Sequence, residues 1–166
     1  YAGNGSSMVA RVFASVHPGI YALEQDSDHW RLETKTETVY LLEPRQIFRV
    51  IGLGTNMRDR VFKKYELPGF VAVESGDTVV DIGAFIGEFS RQAATVAERV
   101  IAVEPDDRNR NVLRRNLETA ENASVLNRAV WHTTGTQSFN VAQDPSEGSI
   151  LTVDHTEVEG TIELDA

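Results

Sequence analysis

Two acids and two glycines carry the chemistry that can be read from this chain. Asp81 lies near the end of the apolar run Thr78-Val79-Val80-Asp81-Ile82, Gly83 and Gly87 follow it, and Glu104 closes a second run, Val100-Ile101-Ala102-Val103. A run ending in an acid, a glycine turn, a helical pattern and a second such run make up the first half of a nucleotide-binding βαβ unit. Glu104 stands 21 positions beyond Gly83, the separation at which a carboxylate reaches the hydroxyls of a bound ribose. A carboxylate can accept from both hydroxyls at once. Glycine at the turn lets a ligand approach the backbone. A helix opening near Gly87 would aim its free N–H groups at whatever occupies the turn. The spacing is D-x-G-x-x-x-G, not the G-x-G-x-x-G of a dinucleotide site. A phosphate beside Asp81 would meet like charge, so a cationic ligand suits that acid better. The plain alternative is a βαβ unit whose glycines serve only packing.

The segment from Gly76 to Ser90, G-D-T-V-V-D-I-G-A-F-I-G-E-F-S, resembles the first motif of the FkbM-type methyltransferases, approximately G-D-x-V-x-D-x-G-A-N-I-G-x-x-S. Ile101-Ala102-Val103-Glu104-Pro105 and Leu113-Arg114-Arg115-Asn116-Leu117 are similar to that family's second strand and the helix after it. Asn127-Arg128-Ala129-Val130-Trp131 falls where the family leaves its third strand. The likeness covers roughly residues 68 to 164. Phe85 departs from it, standing where asparagine is usual. The family's later K-x-D-x-E-G-type strand has no counterpart before Ala166, so on this reading the chain is a truncated methyltransferase, inactive alone.

The resemblance implies an α/β fold. Its core would be the Rossmann-like sheet of a class I methyltransferase, incomplete, with the first three parallel strands and an N-terminal α+β cap. It implies S-adenosyl-L-methionine as cofactor and a small-molecule or sugar hydroxyl as methyl acceptor. Gly83, Ala84 and Gly87 would admit the methionine part, with Asp81 near its amino group. Glu104 would hold the ribose beside Pro105. Asp106 would reach the adenine edge or cap a helix, Asn127 and Ala129 would touch adenine, and Phe85 would stack on the cofactor or fill core. No residue can be named as general base. Two other readings stay open: a fragment of a NAD-type oxidoreductase, and a non-catalytic α/β interaction module.

These residues need elements to position them. Residues 1–7 read as a flexible tail or tag remnant, 8–70 as a cap region and 71–166 as the partial cofactor-binding domain. In the cap, Val9–Val16 suggests a short helix, and alternation over His29–Glu33 and Glu37–Leu42 predicts a hairpin across Thr34-Lys35-Thr36. Arg58–Leu67 carries an apolar helical face, and Ile51-Gly52-Leu53-Gly54 reads as a loop. In the second part, Phe89, Ala93 and Val96 mark one helix stripe, and Leu113, Leu117 and Ala120 another, capped by Asp106. Arg99–Val103 and Ser124–Val130 follow as parallel strands. Thr136–Val141, Ser149–Val153 and Glu157–Leu164 read as antiparallel ones, with a loop over residues 144–148.

Composition narrows the classes. The chain has no cysteine, so disulfides and thiolate metal sites are excluded. Its four histidines are scattered without metal-ligand spacing. Acids outnumber Lys and Arg by 25 to 16, which argues against a polyanionic partner such as nucleic acid. Arg108, Arg110, Arg114 and Arg115 read as a solvated helix face. No apolar run nears the ~20 residues that span a bilayer, so a cytoplasmic protein without a membrane partner is expected. A half-built sheet would leave an exposed edge and favour a homodimer.

Overall fold

The computed structural model describes residues 19–47, 65–67, 71–144, 146–150 and 158–165. The chain divides into two compact units, 1–60 and 61–166. The expected helix over Val9–Val16, the loop at Ile51–Gly54 and most of the Arg58–Leu67 helix lie outside the described residues.

The first unit contains an antiparallel meander of β1 (Ile20–Asp26), β2 (His29–Thr34) and β3 (Thr38–Leu41). The expected hairpin is β2–β3, with Trp30 opposite Leu41 and Leu32 opposite Val39. Thr34 holds its turn, donating from Oγ1 to Glu37 O at 2.9 Å and accepting from Glu37 N–H at 3.1 Å. β1 was not expected, because Ile20-Tyr21-Ala22-Leu23-Glu24-Gln25-Asp26 does not alternate cleanly and its pairing shifts between Ile20 and Ala22. Leu23, Leu32, Val39 and Leu41 are buried, so one face of the meander is apolar as in a half-covered antiparallel sheet.

The second unit runs β4 (Thr78–Ile82), α1 (Glu88–Ala93), β5 (Arg99–Val103), α2 (Asp107–Asn116), β6 (Ala123–Leu126), β7 (Thr136–Ala142) and β8 (Val158–Asp165). β4, β5 and β6 form a parallel sheet in that order, and β7 pairs with β8 antiparallel. β6 ends at Leu126, short of the expected Val130. Of the expected strand Ser149–Val153, Ser149 pairs antiparallel with Asn140 in a bridge. Residues 151–153 lie outside the described set.

Period-2 alternation sorts the parallel strands into two faces. Val79, Val100 and Ala123 pack with Phe89, Ala93 and Ala97 around α1, while Ala102 and Val125 pack with Leu113, Leu117 and Ala120 around α2. Both helices therefore cover one face. On the other, Val80, Ile82 and Leu126 stay 54%, 61% and 44% exposed. α1 is shorter than its stripe suggested: after Ala93 the chain tightens, with Thr95 N–H donating to Gln92 O and Val96 N–H to Ala93 O.

Candidate functional site

Parallel pairing brings the turn after β4 and the turn after β5 to the same sheet edge, and hydrogen bonds tie them together. Gly83 N–H and Ala84 N–H donate to Val103 O at 2.9 and 3.0 Å, and Phe85 N–H donates to Glu104 Oε2 at 2.8 Å. The first turn folds this way because Gly83 (φ +74°) and Gly87 (φ +88°) adopt left-handed backbone without penalty. Phe85 adopts it too, at φ +52°, a conformation that costs a non-glycine residue about 1–3 kcal/mol and clusters at functional sites. The two glycines differ in purpose. A Cβ on Gly83 would meet nothing within 4 Å, whereas one on Gly87 would lie 2.7 Å from Leu113 Cδ1. Gly83 keeps the turn open and Gly87 lets α2 pack against it.

Glu104 is 5% exposed. Its Oε1 accepts from Asp106 N–H at 3.0 Å and from Asn109 Nδ2 at 3.3 Å. Burial raises its pKa above the ordinary value against the pull of its three N–H donors, and the Asp106 charge adds to the rise. Asp106 caps α2 by accepting from Arg108 N–H at 2.8 Å. It also binds the Arg108 guanidinium at 3.0 and 3.3 Å, and Arg108 Nη2 reaches Ala142 O on β7 at 2.7 Å. Arg110 corrects the expected solvated face. It is 4% exposed, donates to Glu104 O and Pro105 O at 3.1 and 2.9 Å, and pairs with Asp107.

A cavity of about 290 Å³ opens at this edge. Gly83, Phe85, Glu104, Pro105 and Ala129 line it, as do Asn109, Arg128, Trp131 and Phe139. Ser146 and residues 148–150 also line it: Ser149 bridges Asn140, and a Cβ on Gly148 would sit 2.7 Å from the Phe139 ring, so the backbone presses directly on that ring. Ala129 is fixed by its N–H to Asp165 O on β8 at 3.2 Å, and Arg128 pairs with Asp165.

The remaining expected residues lie beside the cavity and do not line it. Asp81 accepts from Ser90 Oγ at 2.6 Å, and burial raises its pKa despite that bond. Ala84 belongs to the core under α2, Gly87 is buried, Asp106 is engaged as a cap, and Asn127 is exposed. Sequence reasoning missed Asn109, Trp131 and Phe139. Asn109 had a signal, because it shares the stripe Asn109, Val112, Leu113, Asn116 and Leu117 at i, i+3, i+4, i+7 and i+8, all buried. Asn116 on that stripe donates to Ile86 O at 2.8 Å and braces the first turn. Among the described residues no cluster of His, Cys, Asp or Glu could hold a metal, and no helix is long and apolar enough to cross a membrane.

No protein-family model matches the sequence, and no curated protein does. Among solved structures, the chain is similar to phosphoethanolamine N-methyltransferase 1 of Haemonchus contortus in complex with phosphoethanolamine and S-adenosylhomocysteine, at 26% identity over 42% of this chain and 14% of that one, TM-score 0.36. It is similar to a putative RNA methyltransferase of Pyrococcus horikoshii, at 38% identity over 32% of this chain and 27% of that one, TM-score 0.30. A third likeness is to Aeropyrum pernix fibrillarin with natively bound S-adenosyl-L-methionine, at 16% identity over 66% of this chain and 57% of that one, TM-score 0.38. The chain spans less than two thirds of the length of each of these proteins.

Proposed function

We propose that this chain carries the S-adenosyl-L-methionine site of a methyltransferase of the FkbM type, acting on a hydroxyl of a small molecule or sugar. The observation that carries the reading is the Glu104 carboxylate. It is buried at the C-terminal end of a parallel strand, faces a cavity, and is bonded to the glycine turn of the neighbouring strand. Ligands of open α/β sheets bind at that end of the strands.

The residues present fit the group. Glu104 offers a buried acceptor to ribose, Gly83 leaves the turn open, and Phe85, Val103, Pro105 and Ala129 give apolar walls for a purine. The cavity is at the small end of the ~300–1,000 Å³ usual for such sites, which suits the nucleoside part of the cofactor. Asp81 faces Ser90, so it acts on the ligand through the shape and field of the turn. Bound there, S-adenosyl-L-methionine supplies an electrophilic methyl on a sulfonium. This chain's residues orient it and keep water away from the purine. The acidic balance of the chain favours a small acceptor over a polyanion.

Calorimetric titration with S-adenosylhomocysteine tests the reading, with NAD as control and Glu104→Gln as the variant. Saturable binding of the first ligand, weakened at least about ten-fold in the variant, is the expected result for losing a charged hydrogen-bond acceptor. Tighter binding of NAD would replace the methyltransferase with an oxidoreductase.

A further inference from the structure

The hydrogen-bond capacity of Glu104 conflicts with the task proposed for it. A carboxylate offers about four acceptor positions, two on each oxygen. Three are filled from within the protein: Phe85 N–H on Oε2 at 2.8 Å, and Asp106 N–H and Asn109 Nδ2 on Oε1 at 3.0 and 3.3 Å. One ribose hydroxyl fits the position left on Oε2. A second must use Oε1, where both positions are taken. Two of the three internal donors are backbone groups that cannot withdraw. Phe85 N–H lies in a turn pinned to Val103 O through Gly83 and Ala84, and Asp106 N–H belongs to the cap of α2, held by the bonds that the Asp106 carboxylate accepts from Arg108. The third donor is a side-chain amide, not a backbone group, on a residue 2% exposed. It makes the longest of the three bonds, and it lines the cavity.

We propose that Asn109 is a specificity-determining residue: its amide occupies the second ribose position on Glu104 and yields it only to a vicinal diol. This rests on the nucleoside reading of the cavity given above. In the free protein the amide fills the second acceptor position on Oε1, the one that Asp106 N–H leaves open. On binding, a ribose hydroxyl replaces it. A deoxyribose lacking that hydroxyl leaves Asn109 in place and binds through the Oε2 position alone. Asn109 thus weakens diol binding by the worth of its own bond and narrows the gap between ribo- and deoxyribonucleosides.

The test is calorimetric titration of the chain, Asn109→Ala and Asn109→Ser with S-adenosylhomocysteine and with its 2′-deoxy and 3′-deoxy forms. Circular dichroism establishes that each protein is folded, and the serine variant carries the comparison if the alanine one does not fold. Removing the competing amide is expected to widen the ratio of deoxy to ribo dissociation constants for one of the two deoxy forms by about five-fold, the worth of one hydrogen bond. A residue that merely supports the fold would weaken all three ligands in proportion and leave the ratio fixed, and that result overturns the proposal. If the unaltered chain binds S-adenosylhomocysteine and the ratio does not move, only the role of Asn109 falls. If it binds none of the three, the nucleoside reading falls and this one with it.

Discussion

The two turns at the C-terminal edge of the parallel sheet are neighbours in space and opposites in construction. The first, residues 83–87, has three residues at positive φ, no side-chain cap on the six-residue helix that follows, and a glycine with open space where a side chain would stand. The second, residues 104–106, has ordinary backbone, an aspartate cap and a guanidinium clamp that ties the start of α2 to β7. One turn is shaped for approach and the other for rigidity. Glu104 belongs to the rigid turn and reaches across to fix the open one through Phe85 N–H. A preorganised site needs that division, because an acceptor placed on a yielding turn would lose its geometry.

Removing the link should have the largest effect. Glu104→Ala orphans three N–H donors at once and is expected to lower stability by about 2–4 kcal/mol, read as a shift in urea midpoint. A variant as stable as the parent would mean that the two turns are held apart from Glu104. Next come the glycines, which sharpen the contrast within the first turn. Gly87→Ala combines left-handed backbone with a 2.7 Å approach to Leu113 Cδ1, and should cost about 2–3 kcal/mol. Gly83→Ala meets no neighbour and should cost only the left-handed backbone penalty of about 1–2 kcal/mol, yet weaken nucleoside binding more than Gly87→Ala does. Equal stability losses would break the distinction between an open glycine and a packing one.

How much of this was legible in the sequence follows the range of the forces involved. The first turn, Glu104 and the Asp106 cap could be read because glycine, a strand-end acid and a cap act on their own few residues. The fate of Arg110 could not: a run of arginines beside acids reads as a solvated face, and only the return of α2 over the end of β5 brings its guanidinium to the carbonyls of Glu104 and Pro105. β1 escaped notice because its pairing supplies what its alternation lacks. The antiparallel approach of Ser149 to Asn140 follows the expected pair of strands joined by the 144–148 loop, but nothing local shows that Phe139 and residues 148–150 line a cavity at the end of β5. Asn109 was legible in principle, as one of two asparagines, with Asn116, on the buried stripe of α2 that also carries Val112, Leu113 and Leu117.

Two smaller effects test the rigid turn and the buried charges. Asp106→Ala removes a cap and frees Arg108, and about 1–2 kcal/mol should be lost, with little change at β4. Asp81 sets the pH response. Burial raises its carboxyl above the ordinary range, as it does for Glu104, so between the ordinary and the raised value the folded chain holds more protons than the unfolded one. The stability each group adds is therefore present at and below the ordinary carboxylate range and fades as pH rises through the raised value. Asp81→Asn should be at least as stable as the parent at neutral pH, and its urea midpoint should change less between mildly acidic and neutral buffer. A steeper change would show that the fold favours the charged form.

The most direct measurement is a crystal structure of the chain with S-adenosylhomocysteine. The ribose is expected within hydrogen-bonding distance of both Glu104 oxygens, with the purine between Phe85 and Ala129 and the Asn109 amide turned away from Oε1. A ligand bound elsewhere, or one whose ribose leaves Glu104 with only its three internal donors, would contradict the account.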